Sequence, residues 1–151
     1  MRYLFRSLRC LWPSSRRRLR SGSKACQGDS RFRLLLESLP NVAVQGYDRK
    51  RRVIYWNEES VRLYGYQAEE AAGRYLEELI IPEPMQAQVI RDHSAWLREG
   101  KAIPPGRLVL RDKQGNPVPV YSYHVMLDEF SEDPVMFCVD VRLDTDLETV
   151  S

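Results

Sequence analysis

The chain has 151 residues, 43% of them apolar and 29% charged, enough for one domain with a modest core. Its net charge of +2 averages two unlike parts: residues 1–30 hold eight Arg or Lys against one acid, a net of +7, which leaves −5 for the rest. Cys10, Cys26 and Cys138 show no paired spacing, which argues against a disulfide framework or a cysteine metal site and fits a reducing cytoplasm, and no apolar run reaches the length of a membrane span or a secretory signal.

Residues 1–29 are rich in Arg, Ser and Gly and read as a basic, poorly ordered arm. Such an arm can meet nucleic-acid phosphates or anionic lipid. No base-reading motif accompanies it, so a solvated tail or a start codon set too far upstream is the plainer reading. The regular domain runs over residues 30–143, with 144–151 as a tail.

Asp29 or Ser30 is placed to cap a helix through Phe32, Leu35, Leu36 and Leu39, ended by Pro40. Val42–Tyr47 and Val53–Trp56 read as two strands of a hairpin around a polar turn. Glu58–Tyr64 and Ala68–Ala72 read as short helices stopped by Gly65 and Gly73, and Glu83–Arg98 as a longer one behind Pro82. Three strands follow: Arg107–Arg111, Val118–Leu127 and Val135–Val141. The fold class is α+β, a five-stranded antiparallel sheet with a helical insertion between strands 2 and 3, plus a short N-terminal helix.

Within Val53–Tyr66, VIYWNEESVRLYGY, four β-favouring residues give way at Asn57 to a helix-compatible run. The Asn57 side chain can accept an orphan N–H of that helix, Glu58 and Glu59 suit its positive end, and Gly65 permits a left-handed stop. Ile54-Tyr55-Trp56-Asn57-Glu58-Glu59, Leu63-Tyr64-Gly65-Tyr66, Glu69-Glu70-Ala71-Ala72-Gly73-Arg74, Leu39-Pro40-Asn41-Val42-Ala43-Val44 and Asp112-Lys113-Gln114-Gly115 together resemble a PAS domain over residues 32–143. The resemblance implies a sensory or interaction module whose short helices roof a pocket against a curved sheet. Gln67 stands where the family often caps its next short helix with Ser or Thr.

Subtypes are separated residue by residue. Flavin-photosensing members carry a reactive Cys on the helical segment; none of the three cysteines has that setting, so cysteinyl-flavin photochemistry is excluded. Haem-binding members place an axial His on the long helix at a position that corresponds to Val89; His93 comes one turn late on the apolar stripe of Met85, Val89, His93 and Trp96, which disfavours haem. In the long strand Val118, Val120, Ser122, His124 and Met126 share one face. The resemblance turns that face to the pocket, where Ser122 and His124 would orient a small molecule; a bulge in the strand, or local backbone bonding, is the plainer reading.

The pocket candidates are thus Trp56, Asn57, Tyr64, Val89, His93, Trp96, Ser122 and His124, with packing the default role for Trp56. On the opposite face Tyr121 and Tyr123 want a cover, supplied by the helix of Phe32 and Leu35 from the same or a second chain, which makes a homodimer one expectation. Asp140-Val141-Arg142 stands where many members carry Asp-aliphatic-Thr before an output helix, with Arg replacing Thr. The few residues beyond Thr145 hold no effector domain, so the chain is read as a stand-alone regulator or a fragment of a histidine kinase, cyclic-dinucleotide enzyme or transcription regulator, and a signalling partner with an output domain is expected. No phosphate-binding glycine loop, paired-His metal motif or nucleophile elbow is present, which argues against an enzyme. A ligand-sensing module and a constitutive docking module with a filled cavity remain as the two readings.

Overall fold

The computed structural model describes residues 25–144, with side chains from residue 31 onward; the arm up to residue 24 and the tail from 145 lie outside the described residues. In chain order the elements are α1 (Ala25–Ser38), β1 (Val42–Tyr47), β2 (Val53–Trp56), α2 (Glu58–Tyr64), α3 (Ala68–Ala71), α4 (Leu76–Leu79), α5 (Glu83–Glu99), β3 (Gly106–Arg111), β4 (Pro117–Leu127) and β5 (Val135–Arg142). The strands form one antiparallel sheet in the order β2-β1-β5-β4-β3.

Two expectations need correction. The first helix begins at Ala25, so Asp29 and Ser30 lie inside it instead of capping it. The helix α4 has no counterpart in the sequence reading. It is four residues long and its N-cap residue, Tyr75, makes no side-chain cap bond, so the acidic Glu77 and Glu78 of its first turn are its only start signal. Its stability comes from Leu76 and Leu79, both buried.

The capping of α2 follows the sequence logic. Asn57 Oδ1 accepts from Ser60 N at 2.9 Å, and Gly65, at φ 80°, returns its N–H to Val61 O at 2.8 Å. The helical insertion is fastened to the β3–β4 hairpin by backbone bonds after α2 and after α4: Lys113 N donates to Tyr64 O and Arg111 N to Ile80 O, each at 2.9 Å.

The sheet has apolar clusters on both faces. On the inner face Ala43, Tyr47, Trp56, Val118, Val120, Met136 and Cys138 meet Tyr64, Leu76, Leu79, Ile80 and Trp96 from the helices. On the outer face α1 lays Leu36, with Phe32, over Val44, Tyr55 and Phe137. The Phe32 and Phe137 rings meet edge to face, 6.1 Å between centroids. Close packing there requires Gly46, because a methyl would stand 3.0 Å from both Phe137 Cε1 and Tyr55 Cβ. A register shift does occur, but between Gly46 and Tyr47 in β1 against β2. In β4 the pairing with β5 advances without interruption from Val120 to Leu127, so its alternation of faces is intact.

Candidate functional site

A cavity of about 190 Å³ opens between the inner face of the sheet and the helices α4 and α5. Leu76, Ile80 and Ile81 close one side, Met85 and Val89 of α5 another, and Leu108 and Leu110 of β3 stand opposite, with Ile103 in the loop before it. This upper wall is almost wholly apolar. The sheet supplies the floor: Gln45 from β1, Met136, Cys138 and Asp140 from β5, and Ser122 and His124 from β4.

Side-chain alternation puts these floor residues together. In β5, Met136, Cys138 and Asp140 point inward while Val135, Phe137 and Val139 join the outer cluster. Ser122 lies directly across from Asp140, and His124 from Cys138. The Ser122 hydroxyl donates to Asp140 Oδ1 at 2.6 Å, and the Tyr64 hydroxyl donates to Asp140 Oδ2, also at 2.6 Å. The Gln45 side chain lies near enough to the same carboxylate to favour its charged form. Gln45 Nε2 also reaches Ser60 Oγ at 3.0 Å. Asp140 is 1% exposed. Burial raises its pKa above the ordinary carboxylate value, and the Ser122 and Tyr64 hydroxyls, with Gln45 nearby, offset only part of that shift.

Ser122 Oγ lies 3.3 Å from His124 Nε2. The set Ser122, His124 and Asp140 has the residue types of a hydrolytic triad but the wrong connections. The carboxylate bonds the hydroxyl directly, whereas a triad carboxylate orients the imidazole. Burial pulls the His124 imidazole below its ordinary pKa, partly opposed by the Pro104 carbonyl, and burial raises both the Tyr64 hydroxyl and the Cys138 thiol well above theirs. These are groups held in their neutral forms, suited to hydrogen bonding. Among the described residues no group of three or more His, Cys, Asp or Glu is placed to hold a metal ion.

Of the residues singled out from sequence, Val89, Ser122 and His124 line the cavity, and Tyr64 reaches it through its bond to Asp140. The other four are placed elsewhere. Trp56 packs between Tyr64 and Tyr66, its indole N–H on Tyr66 O at 3.0 Å. Asn57 is a brace, with Oδ1 accepting from Val44 N at 2.9 Å and from Ser60, and Nδ2 donating to Val42 O at 2.9 Å. Trp96 belongs to the core beyond the cavity. His93 is 1% exposed with neither ring nitrogen hydrogen-bonded. It sits by the Arg51–Glu77 ion pair, and burial, then the Arg51 charge, lowers its pKa to about 4.

Sequence reasoning missed Gln45 and Asp140. Period-two alternation through Ala43-Val44-Gln45 and Cys138-Val139-Asp140 would have put both on the inner face, but Asp140 had been assigned to the end of its strand as part of an output motif.

On the outer face Phe32 is partly buried against Phe137, while Leu35 is 57% exposed and turned from the sheet. The Tyr121 and Tyr123 rings lie 5.1 Å apart. Tyr123, Val125, Val109 and Val141 remain exposed beside them.

Comparison with known proteins follows this geometry. A family model described as PAS fold matches residues 53–138. No curated protein matches the chain. Among solved structures, the PAS domain of the quorum-sensing receptor RpfR of Cronobacter turicensis, in complex with BDSF, is similar at a TM-score of 0.59 and 15% identity over 71% of this chain and 98% of that one. The PAS domain of a Colwellia psychrerythraea protein gives 0.59 at 20% identity, over 75% of this chain and 97% of that one. The PAS-B domain of Drosophila melanogaster Cycle, with bound ethylene glycol, gives 0.54 at 9% identity, covering 67% and 99%. At these identities the likeness is one of fold.

Proposed function

Because the chain belongs to the PAS fold family, we propose that it is a signal-input module: a small molecule enters the cavity, and occupancy alters how the outer sheet face meets a second copy of the chain or a partner protein that carries the output. The observation that carries this reading is the cavity itself, about 190 Å³ with apolar walls and a buried polar floor. It is smaller than the roughly 300–1,000 Å³ of pockets that take drug-sized ligands, so its guest is small. PAS domains generally act as sensory modules, and the Cronobacter and Drosophila domains with BDSF and ethylene glycol bound support reception in a cavity of this fold. The Ser122 hydroxyl is committed to a carboxylate, which supports a receptive, non-catalytic role. No described helix is long and apolar enough to cross a membrane; action in the cytoplasm is part of the proposal.

The test is an ultraviolet–visible spectrum of the purified protein together with mass spectrometry of its denatured extract. A co-purifying small molecule, absent from an extract of a variant with the cavity filled by Leu108→Trp, is the expected result; an empty extract shifts weight to a second reading. That reading is a constitutive docking or dimerisation module, and the exposed Tyr123, Val125 and Val141 face favours it. Sedimentation at high concentration separates the two, since docking between copies requires a dimer whether or not a ligand is present.

A further inference from the structure

We propose that the cavity receives a small protonated amine with a compact apolar body, its ammonium group held by the Asp140 carboxylate. This inference rests on the signal-input reading above and names the class of its ligand.

Asp140 at the floor and Asp92 on α5 are acidic, and no Lys or Arg lines the cavity. The donors to Asp140 are two hydroxyls, both neutral. Among the described residues it has no ion-pair partner, although it is 1% exposed. A buried carboxylate without a counter-charge is costly to a fold. Burial therefore favours the protonated form of Asp140, and a positive charge beside it would favour the carboxylate instead. An ammonium group in the cavity supplies it.

The remaining hydrogen-bonding capacity agrees. A carboxylate offers about four lone-pair positions, and two donors, the Tyr64 and Ser122 hydroxyls, are present. Gln45 Oε1 is buried without a donor on the same floor. The floor is therefore short of donors, and a primary ammonium brings three. Burial lowers the pKa of His124, so the imidazole brings no competing positive charge. An anion, by contrast, would lie between two carboxylates with no cation to hold it. Asp92 is half-buried on the helix that walls the cavity, where its charge attracts a cation toward the site. Beyond the floor, apart from Gln88 and Asp92 of α5, the lining is apolar, Ile80, Ile103 and Leu108 among it, which fits an alkyl or aryl body.

The test uses the full chain and three probes that share one apolar body: benzylamine, benzyl alcohol and benzoate, compared at pH 7 by calorimetric titration and thermal shift. Benzylamine is expected to bind about tenfold more tightly than benzyl alcohol, the order of one charge-assisted hydrogen bond, with benzoate weakest. Asp140→Asn is expected to bring benzylamine down to the level of the alcohol while the alcohol itself changes by less than about twofold. Should circular dichroism show that this variant does not fold, Asp92→Asn replaces it, with benzylamine weakened about twofold and the alcohol unchanged. Benzyl alcohol or benzoate binding as tightly as the amine overturns the amine assignment and leaves the signal-input reading standing. If none of the three binds and the purified protein carries no small molecule, both fall together.

Discussion

Two buried polar clusters lie on neighbouring parts of this sheet, one around Asn57 and one around Asp140. The Asn57 cluster is tied to backbone: its amide serves Val44 N, Ser60 N and Val42 O. The Asp140 cluster is tied only to side chains, those of Ser122 and Tyr64. Backbone ties fix where strands and helices begin, so the first cluster is a fastening. Side-chain ties can be rearranged by rotating a hydroxyl, so the second can exchange partners with a guest. The contrast separates stability from reception within one core.

The largest expected effect breaks the fastening. Asn57→Ala leaves Val44 N, Ser60 N and Val42 O without their partner, and should cost about 3 kcal/mol of stability, read as a lowered denaturation midpoint at unchanged slope. Ser60→Ala removes a hydroxyl that donates to Asn57 Oδ1 and accepts from Gln45, and should cost about 1–2 kcal/mol. A larger loss for Ser60 than for Asn57 would reverse the ranking.

Asp140→Asn sharpens the comparison from the other side. An amide keeps one acceptor and turns the other position into a donor, to which a hydroxyl adapts by rotation. The expected change at pH 7 is under about 1 kcal/mol, well below that of Asn57→Ala. Its signature lies in the pH profile. The folded-state pKa of Asp140 is raised, so the folded chain holds this proton more firmly than the unfolded chain. That contribution to stability is present in full at low pH and is lost as pH rises through the raised value. The Asn variant should lack this loss. His93 acts in the opposite direction. Its folded pKa is about 4 against an ordinary value of 6.5, so stability is full above 6.5 and declines as pH falls from there toward 4. Chemical denaturation across pH 4–8 of the wild type and of His93→Gln checks this, the decline being smaller in the variant. The smallest effect belongs to a site outside both clusters: Tyr123→Ser, at a half-exposed position, should stay within about 0.5 kcal/mol. A lower association constant in sedimentation would assign that face to contacts between copies.

The parts of the molecule that were legible in the sequence were those fixed by near neighbours. The change from Trp56 to Asn57, the stop at Gly65 and the length of β4 each rest on residues within a few positions of one another. That Ser122 and His124 share one face was also legible from alternation along the strand. Its inward turn came only from the resemblance, with a bulge the plainer reading until the unbroken pairing of β4 removed it. What was not legible depends on distant partners. The role of Asp140 is set by Tyr64, 76 positions away, and by Ser122. The placement of His93 outside the cavity depends on α4 and the hairpin carrying Arg51, and α4 has only its acidic first turn as a sequence signal.

Strand β5 alternates Cys138 and Asp140 against the cavity with Phe137 and Val139 under or beside α1. Only one polypeptide thickness separates the two sides, and at Gly46 even a methyl side chain would stand 3.0 Å from the Phe137 ring. A partition this thin and this tightly filled cannot absorb a displacement on one side without passing it to the other. A push on the interior would therefore reach the helix resting on the back.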